Sequence, residues 1–496
     1  MSHRCSRHFW DRREFLFRSG GGISGLALAY LLEQQGLLSA QDAGASAGGD
    51  SCAAAAVGVN PYATKPPHFK PRATAVISLF MGGGWSQVDT FDPKPALAKY
   101  AGEPIEGKVQ GDVIVRQGFP GPLMPSPFAF KKCGQSGIEV SELFPHLSRH
   151  VDEMAFLRSV YGRSNDHVQG TYEMQTGQIN LGFPSVGSWV TYGLGSVSSS
   201  LPAYVVMTDA RGGPLGGPND WSAGFIPAAY QGTQFRSTGD PIVDLKPPAG
   251  MTSASQRARL DTLAKLNELD MEKFPGNSEL AARISSYELA YRMQACAPGA
   301  VDVASESAAT KALYGLDNSI SEPFGRQCLM ARRLVERGVR FVQIFAGGVG
   351  NQNADTWDAH DDIKTNHTQH AAETDRPMAG LLTDLKAHGL LDGTLVIMHS
   401  EFGRMPISQR GVGRDHNPGA QTVLMAGAGI AGGQVIGSSD EFGFKAMEQP
   451  ISYHDLHATM LHLLGLDHTK LTYRSNGRDM RLTDVYGTLV PQIVNG

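Results

Sequence analysis

Cysteine is scarce: Cys5, Cys52, Cys133, Cys296 and Cys328 are the five in 496 residues. None forms a Cys-x-x-Cys pair, which excludes a disulfide-dense scaffold and a thiolate zinc cluster while leaving room for a single bridge. Charge is also sparse. Charged residues make up 18 % of the chain, the net charge is −5, and no long basic run occurs, so an electrostatic footprint for nucleic acid is missing. Long apolar runs are missing too: the longest near the N-terminus covers about fourteen residues against the ~20 that span a bilayer, which argues against a permanent transmembrane anchor. The glycine-rich segment Gly212–Pro218 has no Gly-Lys-Ser/Thr after it and is not a phosphate-cradling loop. What is abundant is glycine, with 59 residues, as expected of a loop-rich α/β enzyme. The length exceeds that of a usual single core, so a large α/β domain with an insertion, or two domains, is expected.

Arg12 and Arg13 precede a Gly/Ala-rich, weakly apolar run, Ser19–Leu32. The pattern is that of a twin-arginine export signal over residues 1–38, which implies a periplasmic or cell-surface protein; a buried N-terminal helix is the alternative. Residues 39–72 are Ala/Gly/Ser-rich and then Pro/Lys-rich, the composition of a disordered linker. The folded domain is expected over 73–496. Its apolar, β-branched runs at 73–81, 154–160, 201–208, 339–345, 394–398 and 422–425 read as strands. Between them, Met378, Leu381, Leu382 and Leu385 repeat at helical spacing, and 254–338 reads as a helical insertion covering the site. Strand, ligand-bearing loop, helix and strand recur, so the fold class is α/β: a mostly parallel central sheet flanked by helices, with its site along one edge.

Carboxylates and imidazoles concentrate between Asp355 and Pro418. Asp358 and His360 follow the strand ending near 345, and residues two apart point the same way on an extended segment. Glu401 follows the strand at 394–398, and Asp415 and His416 lie on the next loop. Imidazole with carboxylate is the donor chemistry of a divalent-metal site, with Zn, Mn, Ca and Mg all compatible with a mixed set. Solvated acids on a polar loop are the bland alternative. Asp89, on the loop after the first strand, is a further metal-ligand candidate, whereas Asp92 in Asp92-Pro93 reads as a turn opener. Ser164 and His167 follow the strand at 154–160. That spacing allows a nucleophile with a nearby acid/base, although Ser164 also fits a turn or helix cap. His367 and His370 would share a helix face and form a second tier with Asp415. His454, His457 and His462 lie on one helical stretch but not on one narrow face, so a metal site there is not expected.

Several runs together resemble a known family. They are Gly82–Pro95, Leu123–Phe128, Ser136–Pro145, Thr356–His360, Ser400–Arg404 and Gly413–Pro418. The chain is identified by them as a member of the domain-of-unknown-function 1501 family, exported bacterial proteins placed near the sulfatases and alkaline phosphatases. The resemblance covers most of the chain. It implies an alkaline phosphatase/sulfatase-like fold and a metal set of Asp89, Asp358, His360, Glu401 and His416. It also implies a hydroxyl near Ser164 and His167 at the reacting centre, and an anionic ester or sulfated glycan as substrate. Arg404 or Arg414 would clamp the anion, because a guanidinium meets oxyanions bidentately. Two departures stand out. No Cys-x-Pro-x-Arg run is present, and Glu401-Phe402-Gly403 stands where relatives carry Asp-His-Gly. The expected activity is an exported metal-dependent hydrolase of sulfate or phosphate esters using water or Ser164; the alternative is an inactive sulfatase-like binding or assembly protein.

Overall fold

A computed structural model describes residues 62–495 apart from 117–119, 243–244, 246–249, 274–277 and 349–354. The expected signal at 1–38 and most of the expected linker lie outside the described residues.

The main sheet has nine strands. In chain order they are β1 (Ala75–Met81), β2 (Met154–Tyr161), β3 (Tyr204–Met207), β4 (Thr233–Phe235), β5 (Phe341–Ala346), β6 (Thr394–His399), β7 (Gln421–Gly427), β8 (Gln434–Ile436) and β9 (Ile451–Ser452). They lie side by side as β8-β2-β7-β6-β1-β5-β3-β4, with β9 also on β2. All pairings are parallel except those of β7 with β2 and β6. The six strands expected from apolar runs are therefore present, to within a few residues at their ends.

β1 is central, in register with β5 through Val76↔Phe341 and with β6 through Val76↔Leu395. Every one of its residues is buried because helices cover both faces, which is why its sequence is a continuous apolar run. Alternate residues enter two cores. Ile77, Leu79 and Met81 join the layer containing α1 (Glu322–Glu336) and α2 (Ile363–Ala387), while Val76 and Phe80 join the layer of Val186–Leu194 and α3 (Tyr453–Leu463). In α2 the predicted face of Met378, Leu381, Leu382 and Leu385 is fully buried, each side chain contributing about 1.5–3 kcal/mol of burial. α2 is longer than that apolar repeat. Its first turn starts at Asp362, whose carboxylate accepts from the Lys364 and Thr365 N–H groups, so Asp362 is a cap. Two further helices, Ser253–Lys273 and Ser278–Val301, occupy the stretch read as helical.

Adjacent strands β6, β1 and β5 run in parallel and release their loops at one edge. Those loops begin at Ser400, Gly82 and Gly347, and they carry the chemistry. Gly83 has φ +104, and a Cβ there would sit 2.5 Å from the Asp358 N–H. Only glycine lets the β1 loop approach the Asp358 backbone this closely.

Candidate metal centre

Four side chains from three segments meet at that edge. One donor atom from each of His167, Asp358, His360 and His416 lies within 4.8 Å of the others. His167 opens the helix His167–Thr176 after β2, which Asp166 caps by accepting from the Val168 and Gln169 N–H groups. Asp358 and His360 lie on the loop between β5 and α2, and His416 on the strap before β7.

The imidazoles share one arrangement. His167 Nδ1 is 2.7 Å from Glu401 Oε1, His416 Nδ1 is 2.7 Å from the Asn165 carbonyl, and His360 Nδ1 is bonded to Gln409 Oε1. Each of those atoms is an acceptor, so each Nδ1 is the donor, and in the neutral ring each Nε2 carries the lone pair. The three Nε2 atoms all face Asp358: His360 at 2.9 Å and His416 at 3.1 Å from Oδ1, His167 at 3.2 Å from Oδ2. His167 Nε2 is buried and makes no aligned hydrogen bond. Lone pairs of neutral imidazoles facing an anionic carboxylate repel it; protons or a cation between them reverse the sign. Three imidazolium ions side by side would repel one another, whereas one divalent cation satisfies all four donors. Outer acceptors that fix the tautomer of ligating histidines are the usual companion of such sites. The residues therefore fit a divalent metal.

The electrostatics agree. Burial opposes ionisation of Asp358, but Arg404 and the three histidines outweigh it and hold the carboxyl well below the usual range. Burial likewise lowers His167, yet the Asp358 carboxylate beside its Nε2 and the bond from its Nδ1 to Glu401 raise it to about 9. His416, buried, is lowered to about 4 despite its Asp358 contact, with Arg404 and His167 adding repulsion. The pocket attracts one positive charge strongly and resists a second on the imidazoles.

Several expected roles fall differently. Asp89 is not at the cluster: both its oxygens face the Arg414 guanidinium, Nε at 2.7 Å and Nη2 at 3.2 Å, and Ser86 Oγ donates to it. Glu401 stands one step out. Its Oε1 accepts from His167 Nδ1 and from Gly83 N–H (2.8 Å), its Oε2 from Ser400 Oγ (2.7 Å). His167, read as an acid/base, is instead in the four-residue group. Ser164 Oγ donates to Gln169 Oε1 at 3.0 Å and accepts from Asp166 N–H at 3.1 Å, bonds of a turn. Arg404 and Arg414 are fully buried. Arg404 donates to Gly84 O, Gly83 O, Arg414 O and Asp358 Oδ1 (2.7 Å), and Arg414 to Asp89, Met405 O and Met124 O. Both guanidiniums are thus internal ties between loops, their N–H groups held by carbonyls and a carboxylate.

His367 is structural: Nε2 accepts from Ser86 N–H and Nδ1 bonds Asn366 Oδ1, and burial keeps it neutral. His370 Nδ1 pairs with Glu373 at 3.0 Å. Asp415 accepts from the His416 and Arg116 N–H groups. Sequence reasoning missed Gln409 and Asn165. Asn165 acts through its carbonyl, for which no side-chain signal exists. His454 and His457, on α3, join no metal-ligand group among the described residues.

These features define an α/β protein with a three-imidazole, one-carboxylate cluster at the carboxyl edge of its sheet. Residues 73–494 match the family described as "Protein of unknown function (DUF1501)", and the chain belongs to that family. No curated protein matches it in sequence. Among solved structures it is similar to a sulfatase from Pseudoalteromonas sp. (14 % identity, TM-score 0.34, 80 % of this chain and 68 % of that one). It is also similar to a phosphonate monoester hydrolase from Silicibacter pomeroyi (11 %, 0.35, 71 % and 72 %) and to alkaline phosphatase from the Antarctic bacterium TAB5 (11 %, 0.31, 80 % and 99 %).

Proposed function

We propose that this chain is an exported, metal-dependent hydrolase of sulfate or phosphate esters whose metal donors are His167 Nε2, His360 Nε2, His416 Nε2 and the Asp358 carboxylate. One observation carries the metal assignment: three imidazoles, each pinned at Nδ1 by an oxygen acceptor, turn Nε2 onto one carboxylate. Three nitrogens with one oxygen favour zinc over manganese, calcium or magnesium, which shift toward carboxylate and water. The ester class rests on the motif resemblance set out above, and export on Arg12-Arg13 and the run after it.

When bound, the cation supplies Lewis acidity, polarising an ester oxygen and favouring attack by water. The chain's own groups do the rest. Arg404 keeps Asp358 ionised, and Glu401 holds the proton at His167 Nδ1, so that Nε2 stays a donor of electrons. Phe80 and Phe345 line the cavity that reaches His167, Asp358 and Glu401. Ser164 Oγ points its hydrogen at Gln169, which supports water over Ser164 as nucleophile. The same bond favours a second reading, a binding protein holding a structural ion without turnover.

Metal analysis of the purified protein, followed by aryl sulfate and phosphate esters assayed with zinc and manganese, tests both. We expect one metal per chain and metal-dependent turnover. Full metal with no turnover on any ester supports the binding reading; no metal uptake defeats the site.

A further inference from the structure

A second cavity, of about 500 Å³, lies by the carboxyl end of β2 and shares no lining residue with the one at the histidine cluster. Its walls come from distant segments. Tyr161 closes β2, Ser452 and Asp455 open α3, and Arg481, Tyr486 and Thr488 follow the hairpin of Tyr473–Ser475 with Arg478–Met480. Asp455 ties two of these walls together: its Oδ2 accepts from Ser452 N–H and Oγ, and its Oδ1 from Thr488 N–H. The cavity is thus held in shape before a ligand arrives.

The lining is polar and balanced in charge. Arg481 makes no ion pair or side-chain hydrogen bond among the described residues, and the hydroxyls of Tyr161, Tyr486 and Thr488 likewise have no partner there. Asp455 is the opposing charge. His468, also on the wall, is held below its ordinary value by burial and carries no charge at neutral pH. Charges on adjoining segments are already paired: Arg478 with Asp484, Lys470 with Asp467 and Arg163 with Glu173. Tyr486 is 59 % exposed, and its ring stacks on His454 at 5.1 Å and 29°. Backed by that imidazole, it is a fixed aromatic platform on the cavity wall.

We propose that this cavity binds an uncharged sugar residue of a glycan. A pyranose has an apolar C–H face and a rim of hydroxyls that both donate and accept. Tyr486 matches the face; Arg481, Thr488, Tyr161 and the lone pairs left on Asp455 match the rim. An anionic ring gains little, because Asp455 offsets Arg481. An apolar ligand would take water from Arg481 and the free hydroxyls without replacing its hydrogen bonds, which is costly. The volume falls within the roughly 300–1,000 Å³ of small-molecule sites. Tyr161 precedes His167 by six residues, so at most about 20 Å separates the two. A few sugar units span that distance, and a glycan held here reaches the metal centre. The binding site itself does not depend on the hydrolase reading and stands equally for a protein without turnover.

Calorimetry tests it, titrating the zinc-loaded full chain with cellotetraose, mannotetraose, xylotetraose and galactotetraose, and with a sulfated galactotetraose. At least one neutral sugar should bind with a Kd of about 1 mM or tighter. Tyr486→Ala and Arg481→Ala should each weaken it about tenfold while keeping the parental metal content and melting temperature. Removing the metal with a chelator should leave the affinity unchanged. Absence of binding to every neutral sugar overturns the proposal, as does an affinity that survives both substitutions. Binding confined to the sulfated sugar overturns the uncharged assignment. Binding lost with the metal would place the sugar at the metal centre and remove the second site. Ester turnover, present or absent, decides the hydrolase reading separately.

Discussion

Asp358 and Asp220 are both buried, at 3 % and 0 % exposure, and both feel the charge of the site, yet burial ends differently for each. Asp358 is surrounded by Arg404 and three imidazoles, which override desolvation and keep it anionic. Asp220 has no hydrogen-bond partner for either oxygen among the described residues, and desolvation, assisted by repulsion from Glu401, pushes it up to about 8. Burial alone neutralises a carboxyl; convergent donors make it a ligand. Histidine follows the same rule. Three histidines crowded onto α3 make no group among the described residues, while three from distant segments do, because each of the latter has an acceptor behind Nδ1 and Asp358 in front of Nε2.

The comparison breaks most directly at Asp358 itself. Asp358→Ala leaves the Arg404 guanidinium fully buried without its counter-charge, and uncoupling a buried pair costs about 3–5 kcal/mol. A urea midpoint well below that of the parent, together with loss of bound metal, is the expected result. A variant of parental stability that still holds metal would remove Asp358 from the centre.

Next in size are the imidazoles. His360→Ala and His416→Ala should each weaken metal binding by more than about 100-fold, beyond the loss typical of an outer residue. His454→Ala, by contrast, should bind like the parent in a chelator competition. Equal losses from all three variants would mean that histidine content, rather than placement, governs uptake. Glu401→Gln keeps the shape but removes the charge behind His167 Nδ1, and a loss of about 10–100-fold is expected. A loss as large as that of His416→Ala would move Glu401 into the ligand set.

Much of the fold was legible because buried parallel strands announce themselves as continuous apolar runs, as in Ala75–Met81 and Thr394–His399. The edge strands Thr233–Phe235, Gln434–Ile436 and Ile451–Ser452 were not, being two or three residues long with no periodicity to read. The antiparallel direction of Gln421–Gly427 is likewise set by its neighbours and not by its own residues. At the site, residue types marked Asp358, His360 and His416 as donors. What sequence could not supply was the partner of each buried charge. Asp89 looks like a ligand until Arg414, 325 residues away, is seen to occupy it; Arg404 looks like an anion clamp until its N–H groups are seen on Gly83, Gly84 and Asp358.

Asp220 provides the smallest and most graded test of the comparison. Its folded pKa of about 8 lies above 3.8, the ordinary value for an aspartate in the unfolded chain. Below the unfolded value both states are protonated and the group contributes nothing. Between the two values the unfolded chain ionises while the native one stays protonated, so stability falls as pH rises, by at most roughly 1.4 kcal/mol per pH unit. Above the folded value the loss is complete and constant. Asp220→Asn cannot ionise, so the difference in unfolding free energy between variant and parent should widen from pH about 5 to about 8 and then level off. A difference that stays flat across that range would show that Asp220 titrates as an ordinary carboxyl. Its contrast with Asp358 would then come from something other than missing partners.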